Sequence, residues 1–413
     1  MSKKFNRYVL PVITKSNSNI LFNTITKEKY KITESEDFYE SKYCYENQEM
    51  ELIKKQLFAP PDTGNFLISS TWECSLRCSH CCVLDKLKKT DNNDVNLDAL
   101  NDFLIRYREK YAGDFENFTV YVAFVGGEIG LKPKQALEQM KVFKDVFKNY
   151  PLWYSTATTN LYYNLTDDHY EFFNHLTDLV VSVDGLEEDH NKQRKSFGDY
   201  KSLGNPFQKT IDNLDFLITK KNMSEKIKVQ ASVKDEIYFD IDKKIAFYEY
   251  FIRKGLYAEC ISWNGLFPTR RNPKQSKAFE LARKPPRLYK SPCCKFRFMS
   301  RIQIDPDNKI YTDYFQHNYL QELCHLGSLQ DSLEKLEINY KNMILQEMPA
   351  LNDKNCMICP VLGYCWGQCV NANAVMHVAP SSVCNQQEMI NEVFGQIEKR
   401  EIDDIETHSK CDQ

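Results

Sequence analysis

From Asn65 onward the chain alternates apolar runs of strand length with amphipathic helical segments, and that alternation restricts its fold more than any other feature. The strand candidates are "NFLISST", "FTVYVAFV", "LWYSTAT", "DLVVSV", "KIKVQASV" and "AECISW". Between them lie "NLDALNDFLIRYREKY", "PKQALEQMKVFKDVFKNY", "DDHYEFFNHLTD", "PFQKTIDNLDFLITKK" and "IDKKIAFYEYFIRK". Strand followed by helix, repeated six times, is the signature of βα units around a parallel sheet. In the last helix Ile241, Ile245, Tyr248 and Ile252 recur at helical spacing, so this face is expected to pack on the sheet.

The flanks differ. Residues 1–62 hold one strand candidate, "NILFNT", a polar connector, "KYKITESEDFYESK", and a helical run, "NQEMELIKKQLF", closed by Pro60 and Pro61. This is a small N-terminal α+β unit. The βα pattern fills 63–270, and 271–413 form a further domain. Where the pattern ends, "FPTRRNPKQSKAFELARKPPRLYKSPCCKFR" carries ten Lys and Arg against one Glu, which reads as a solvated linker or, alternatively, a docking surface for an acidic peptide. A hairpin, "RIQIDPDNKIYTDYF", turns at Asp305 to Asn308, a helix follows from about Asp331 to Met348, and "NQQEMINEVFGQIEKR" closes the chain as a helix before a polar tail.

At 413 residues the chain can bury a sizeable core without disulfides, and a formal net charge of −3 gives no reason to expect nucleic acid. The N-terminus "MSKKFNRYVLPVITKSNSN" has no apolar h-region, and no window approaches the length of a membrane span, so a cytoplasmic protein without a membrane partner is expected. In a reducing compartment, fifteen cysteines point to metal or redox chemistry rather than to a disulfide framework.

Four of those cysteines crowd into "TWECSLRCSHCC", directly after the first βα strand. Cys74, Cys78 and Cys81, spaced x3 and x2 on a loop, can converge on one centre. His80 or Cys82 would complete a closed tetrahedral zinc site; with three ligands a cubane iron-sulfur cluster instead keeps one iron open. The spacing at the end of a first strand resembles the radical S-adenosylmethionine (SAM) superfamily, with His80 in the place usually held by an aromatic residue. The resemblance implies a partial (β/α)6 TIM-like barrel, a 4Fe-4S cluster whose unique iron is chelated by SAM, and reductive cleavage of SAM to a 5'-deoxyadenosyl radical. Cys82 is then a spare, read as a small buried apolar residue.

A barrel of this kind places its site at the C-terminal ends of its strands, and those ends carry matching motifs. "VGGEIG" resembles the family's Gly-Gly-Glu-Pro element, so Gly126, Gly127 and Glu128 are implied to meet the SAM amino group, with Ile129 where proline is usual. "TTN" places Thr159 and Asn160 as in a Thr-Asn-Gly motif, with Leu161 at the glycine. "VSVDGLEEDHNKQR" is similar to a Ser-x-Asp-Gly...His-x3-Arg pattern of members acting on peptides, which implies that Ser182 and Asp184 lie beside SAM and that Arg194 pairs with its carboxylate.

The spacing Cys356-x2-Cys359-x5-Cys365-x3-Cys369, with Cys384 beyond, would by itself suit a zinc ribbon. After a radical SAM barrel it resembles the SPASM domain, a cysteine-rich iron-sulfur domain with two auxiliary 4Fe-4S clusters. The resemblance implies that Cys356, Cys359, Cys365 and Cys384 hold the second cluster and that Cys369 crosses to the first. The first cluster would take Cys293 or Cys294 and a hairpin residue. There Asn308 stands at a turn glycine, acceptable where φ is positive, and Asp313 stands at the expected cysteine, as a ligand or as a proton acceptor near the substrate. Cys324 is a less favoured substitute, and Cys44, Cys260 and Cys411 show no partner pattern.

The resemblance implies a peptide maturase that removes hydrogen from a precursor peptide and forms a thioether or carbon-carbon crosslink, with an electron donor such as flavodoxin or ferredoxin. The peptide would enter by adding a strand to an edge of the N-terminal unit. Alternatives are formylglycine formation on a sulfatase, counted against by Asp313 and Tyr314 where Cys-Asp is usual, and peptide epimerisation. From another class, the alternative is a zinc-binding interaction protein without catalysis.

Overall fold

A computed structural model describes residues 9–13, 19–23, 29–31, 54–55, 58–81, 83–84, 87, 94–113, 116–151, 153–265, 299–312, 324–347 and 356. Cys82, the basic stretch with Cys293 and Cys294, Asp313, Cys359, Cys365, Cys369, Cys384 and the closing helix lie outside these residues. The chain divides into two compact units, one of Pro61–Ala282 with Met299–Tyr340, the other of Met1–Pro60, Arg283–Phe298 and Lys341–Gln413.

In the N-terminal unit three short strands, β1 (Val9–Ile13), β2 (Asn19–Asn23) and β3 (Lys29–Lys31), form an antiparallel sheet in that order. The sequence pattern shows only β2. β1 carries Pro11, which lacks the amide a central strand needs, and it lies at the sheet edge where proline is tolerated. β3 lies within the stretch read as a polar connector, because a strand of three residues is too short for a period to register.

The larger unit is built on a nine-stranded sheet. Its strands are β4 (Thr63–Ser69), β6 (Thr119–Val125), β7 (Trp153–Thr159), β8 (Asp178–Ser182), β10 (Ile227–Val233) and β11 (Ile261–Gly265), followed by β12 (Arg301–Ile304), β13 (Lys309–Tyr311) and β14 (His325–Ser328). A separate antiparallel pair joins β5 (Leu76–Cys78) to β9 (Arg194–Ser196). The order β11-β10-β8-β7-β6-β4 follows the sequence, and every neighbouring pair in it is parallel. With right-handed crossovers, strands added always to one side put their helices on one face.

Those helices are α1 (Leu97–Tyr111), α2 (Pro133–Val146), α3 (Asp167–Asn174), α4 (Glu187–Gln193), α5 (Pro206–Lys221) and α6 (Ile241–Arg253). Their starts follow ordinary capping chemistry: Asn96 accepts from the Ala99 amide, Asn205 precedes Pro206 at the first turn, and Asp240 accepts from the Lys243 amide. The core lies between sheet and helices. Phe66, fully buried on β4, meets Tyr107 of α1 at 5.0 Å and Phe143 of α2 at 5.2 Å between ring centroids.

The hairpin β12–β13 continues this sheet, because β12 runs parallel to β4 with Arg301 opposite Asn65. The Tyr107 hydroxyl donates to the Met299 carbonyl at 2.7 Å, tying α1 to the entry of β12. Asn308 has φ +62, the left-handed conformation expected at that position. Helix α7 (Leu333–Glu347) follows β14. Among the described residues no helix is long and apolar enough to cross a membrane.

One core assignment is corrected. Ile241, Ile245 and Ile252 are 70%, 51% and 47% exposed, and α6 buries Phe247 and Phe251 instead. At 100° per residue the phenylalanine stripe lies roughly 120° around the helix from the isoleucines. Phe247 packs on Trp263 of β11 at 5.1 Å, and the larger aromatic surface wins the sheet face. Replacing Phe251 by alanine is therefore expected to cost about 3–5 kcal/mol in urea unfolding. Ile245→Ser should cost less than about 0.5 kcal/mol; equal losses would return the isoleucine face to the core.

Candidate functional site

The site gathers where β4, β6, β7 and β8 end. β4 gives way to Ser70–Ser75, which is laced to the loop after β6: the Gly127 amide donates to the Thr71 carbonyl at 2.9 Å and the Glu128 amide to the Glu73 carbonyl at 2.6 Å. These bonds explain the glycines. A Cβ at Gly127 would stand 2.1 Å from the Glu73 carbonyl oxygen, and Gly126 has φ +118. The third glycine of the motif, Gly130, leaves room for the Tyr163 ring, which a Cβ would meet at 2.0 Å.

Glu128 is buried and acts as a tie between two strand ends. One oxygen accepts from the Thr159 hydroxyl at 2.6 Å and the Gly130 amide at 2.9 Å, and the other accepts from the Asn160 amide at 2.7 Å. Burial pushes its carboxyl up to about 7 despite these donors. The turn after Asn160 is left-handed at Leu161, φ +51, a conformation that glycine adopts without strain. Leu161 is held there by its fully buried side chain and by the Asn213 amide on its carbonyl at 2.8 Å.

The cysteine loop is held by β5 and β9, in which Cys78 pairs with Arg194 and Leu76 with Ser196. The ladder is extended by Ser79 to Gln193 at 2.8 Å and Phe197 to Ser75 at 3.0 Å. Arg77 covers the Phe197 ring at 3.6 Å and donates to the carbonyls of Cys74, Leu76 and Leu87. The structure thus brings Cys74, Cys78 and Cys81 together, none of them in a disulfide, with Cys74 and Cys81 against Trp72, Val83 and Leu87. Burial pushes the Cys78 thiol up to about 12, with Arg194 opposing. Cys74 is raised by burial and then by Cys78 and Glu128. Among the described residues no three His, Cys, Asp or Glu side chains close on a single metal ion.

Behind the cysteines stands a buried ion pair. Arg194 donates to both oxygens of Asp184, from Nε at 2.6 Å and from Nη2 at 3.0 Å. The Ser232 amide of β10 donates to Asp184 Oδ1 at 2.9 Å, and His80 Nε2 lies 3.4 Å from Asp184 Oδ2. Burial alone would raise the Asp184 carboxyl, but Arg194, His80 and the amide hold it below its ordinary value. Two of the guanidinium nitrogens implied to meet SAM are therefore engaged by Asp184, and Ser182, half-buried, ends β8. The third guanidinium nitrogen is 3.8 Å from Cys78 Sγ, and Asn160 Nδ2 is 3.7 Å from Cys74 Sγ.

Sequence reasoning missed the partners of these groups. His190 Nδ1 accepts from the Asp184 amide at 3.2 Å, and Thr210 and Asn213 of α5 hold the carbonyls of residues 160, 161 and 163. The spacing of His190 to Arg194 was the available signal for the first; α5 gave none. Near the hairpin end, the Thr312 amide donates to the Cys324 carbonyl at 3.1 Å, so Cys324 faces the residue before Asp313. Cys356 is the described member of the second array, and its companions lie outside the described residues.

His190 is fully buried, and burial, with Arg194 adding to it, pushes its imidazole down to about 3. The unfolded chain then binds the extra proton between about pH 6.5 and 3, so stability falls as pH drops through that window. The loss should reach roughly 3–5 kcal/mol at its acid end. His190→Asn keeps an acceptor without a titration, and denaturant unfolding across the pH range should show it less acid-sensitive than the wild type. An identical pH slope would place His190 in water.

No protein-family model matches the chain, and a comparison with curated proteins finds no match. Solved structures do match. The native anaerobic sulfatase-maturating enzyme anSMEcpe with bound AdoMet and the Cp18Cys peptide superposes with a TM-score of 0.54 at 17% identity, covering 74% of this chain and 89% of that one. The same enzyme with bound AdoMet gives 0.52 at 18% identity, covering 74% and 88%. With AdoMet and the Kp18Cys peptide it gives 0.53 at 16% identity, covering 75% and 89%. The chain therefore has the fold of these radical SAM enzymes, a mixed α/β architecture on a large, mostly parallel sheet.

Proposed function

We propose that the chain is a radical SAM enzyme that modifies a peptide, with Cys74, Cys78 and Cys81 as ligands of a 4Fe-4S cluster at the mouth of a partial barrel. The observation that carries the reading is the convergence of these thiols on buried Glu128, Asn160, Asp184 and Arg194 at the C-terminal ends of successive parallel strands. The donor set fits a cluster better than zinc. A zinc ion needs a fourth donor beside the three thiols, and His80, one of the two sequence candidates, turns its Nε2 to Asp184 at 3.4 Å. A cluster instead sets each sulfur on a different iron.

When bound, the cluster supplies the electron that cleaves SAM to the 5'-deoxyadenosyl radical. The chain's own part is to hold and exclude. Trp72, Val83 and Leu87 cover the loop with apolar surface. The glycine-edged backbone from Gly126 to Gly130, after β6, and Ser182, at the end of β8 two strands along the sheet, present the groups we assign to SAM. Cys293 or Cys294, Asp313, Cys369 and the set Cys356, Cys359, Cys365 and Cys384 are assigned to two auxiliary clusters on sequence spacing. The solved neighbours with bound Cp18Cys and Kp18Cys peptides support a peptide substrate. Of the two edges of the N-terminal sheet, β3 lacks the proline that interrupts β1 and is the edge we assign to strand addition by the precursor.

Crosslink formation, with flavodoxin or ferredoxin as electron donor, is the reaction proposed. The fold neighbours favour formylglycine formation as a second reading. Replacing Cys74, Cys78 and Cys81 together by alanine is expected to abolish 5'-deoxyadenosine formation from SAM while auxiliary iron stays bound; continued formation would reject the assignment. Asp313→Ala should change the auxiliary-cluster spectrum, and an unchanged spectrum would move Asp313 off the metal. Mass spectrometry of a co-expressed precursor separates the reactions. Loss of two hydrogens fits a crosslink, and conversion of a cysteine to an aldehyde fits formylglycine.

A further inference from the structure

We infer that Asn160 and Arg194 are positioning residues that donate N–H groups to the sulfurs of Cys74 and Cys78 and thereby raise the reduction potential of the cluster those sulfurs hold. The inference rests on the cluster reading above and adds to it a role for these two donors.

Each donor is aimed by other bonds. Asn160 Oδ1 accepts from the Tyr162 amide at 2.7 Å, which fixes the amide orientation, since only the oxygen can accept there. Nδ2 is left facing Ser75 Oγ at 3.3 Å and Cys74 Sγ at 3.7 Å. The Asn160 backbone is pinned on both sides, its amide to Glu128 and its carbonyl to Thr210 at 2.8 Å. Arg194 stands opposite Cys78 by the register of β5 and β9, and Asp184 takes Nε and Nη2. Nη1 is thereby directed at Cys78 Sγ, 3.8 Å away.

An N–H group aimed at a cluster thiolate stabilises negative charge on sulfur, and so favours the reduced state, which carries one more electron. Neither donor needs to move to reach its sulfur. An Arg194 that served SAM alone would not need its fork closed by a buried carboxylate.

The test is a redox titration of the anaerobically reconstituted full-length protein, following by electron paramagnetic resonance the cluster signal that SAM perturbs. A wild type with no such signal overturns the cluster reading itself. With the signal present, Asn160→Leu, which removes a neutral donor, and Arg194→Lys, which keeps the charge but loses the planar fork, should each give a more negative midpoint. A midpoint unchanged or more positive in both overturns the inference. The wild type also gives an answer that needs no substitution. Pulsed resonance on protein carrying isotopically labelled arginine and asparagine nitrogen should show hyperfine coupling from both residue types to the reduced cluster, and absence of both couplings rejects the two donors.

Discussion

The buried pair of Asp184 and Arg194 is the interaction on which the site depends. Two unlike charges withdrawn from water are stable only when their remaining hydrogen-bonding capacity is met, and removing one partner from such a pair typically costs about 3–5 kcal/mol. Here the requirement is met by groups from separate elements: the Ser232 amide of β10, His80 of the cysteine loop, and the register of β9 against β5. The same bonds that satisfy the charges therefore fix the ends of β8 and β10 and the cysteine loop to one another. Positioning the cysteines and solvating a buried carboxylate are one structural act.

Glu128 does the equivalent on the other side. With three donors on two oxygens it joins the ends of β6 and β7, and it leaves the glycine-edged backbone close to the cysteine loop. Leu161 shows what this rigidity permits. A left-handed leucine is strained by about 1–2 kcal/mol, yet burying a leucine side chain fully is worth about 1.5–3 kcal/mol. Burial therefore offsets the backbone cost, and the chain can do without the glycine of the related motif.

Much of this was legible in the sequence because it depends on local pattern. The six parallel strands and the helices between them appear where the periodicity puts them, and the helix Pro206–Lys221 matches its sequence segment in full. Asn308, which the family resemblance set at a turn glycine, has the positive φ that suits such a position. The Cys74, Cys78 and Cys81 trio was visible from spacing on a loop. What the sequence hid is what depends on distant pairing. The partnership of β12 with β4, the two N-terminal strands β1 and β3, and the closure of Arg194 by Asp184 leave no periodic trace. The isoleucine stripe of α6 misled because helical spacing identifies an apolar face but cannot rank it against a second face, of Phe247 and Phe251, on the same helix.

The account turns on a cluster with one iron left open to SAM beside three thiolates, and Mössbauer spectroscopy of protein reconstituted anaerobically with isotopically enriched iron tests it most directly. The predicted result is a 4Fe-4S spectrum in which one iron site shifts when SAM is added. Iron that ignores SAM, or a site that takes up zinc and excludes iron, would contradict the account.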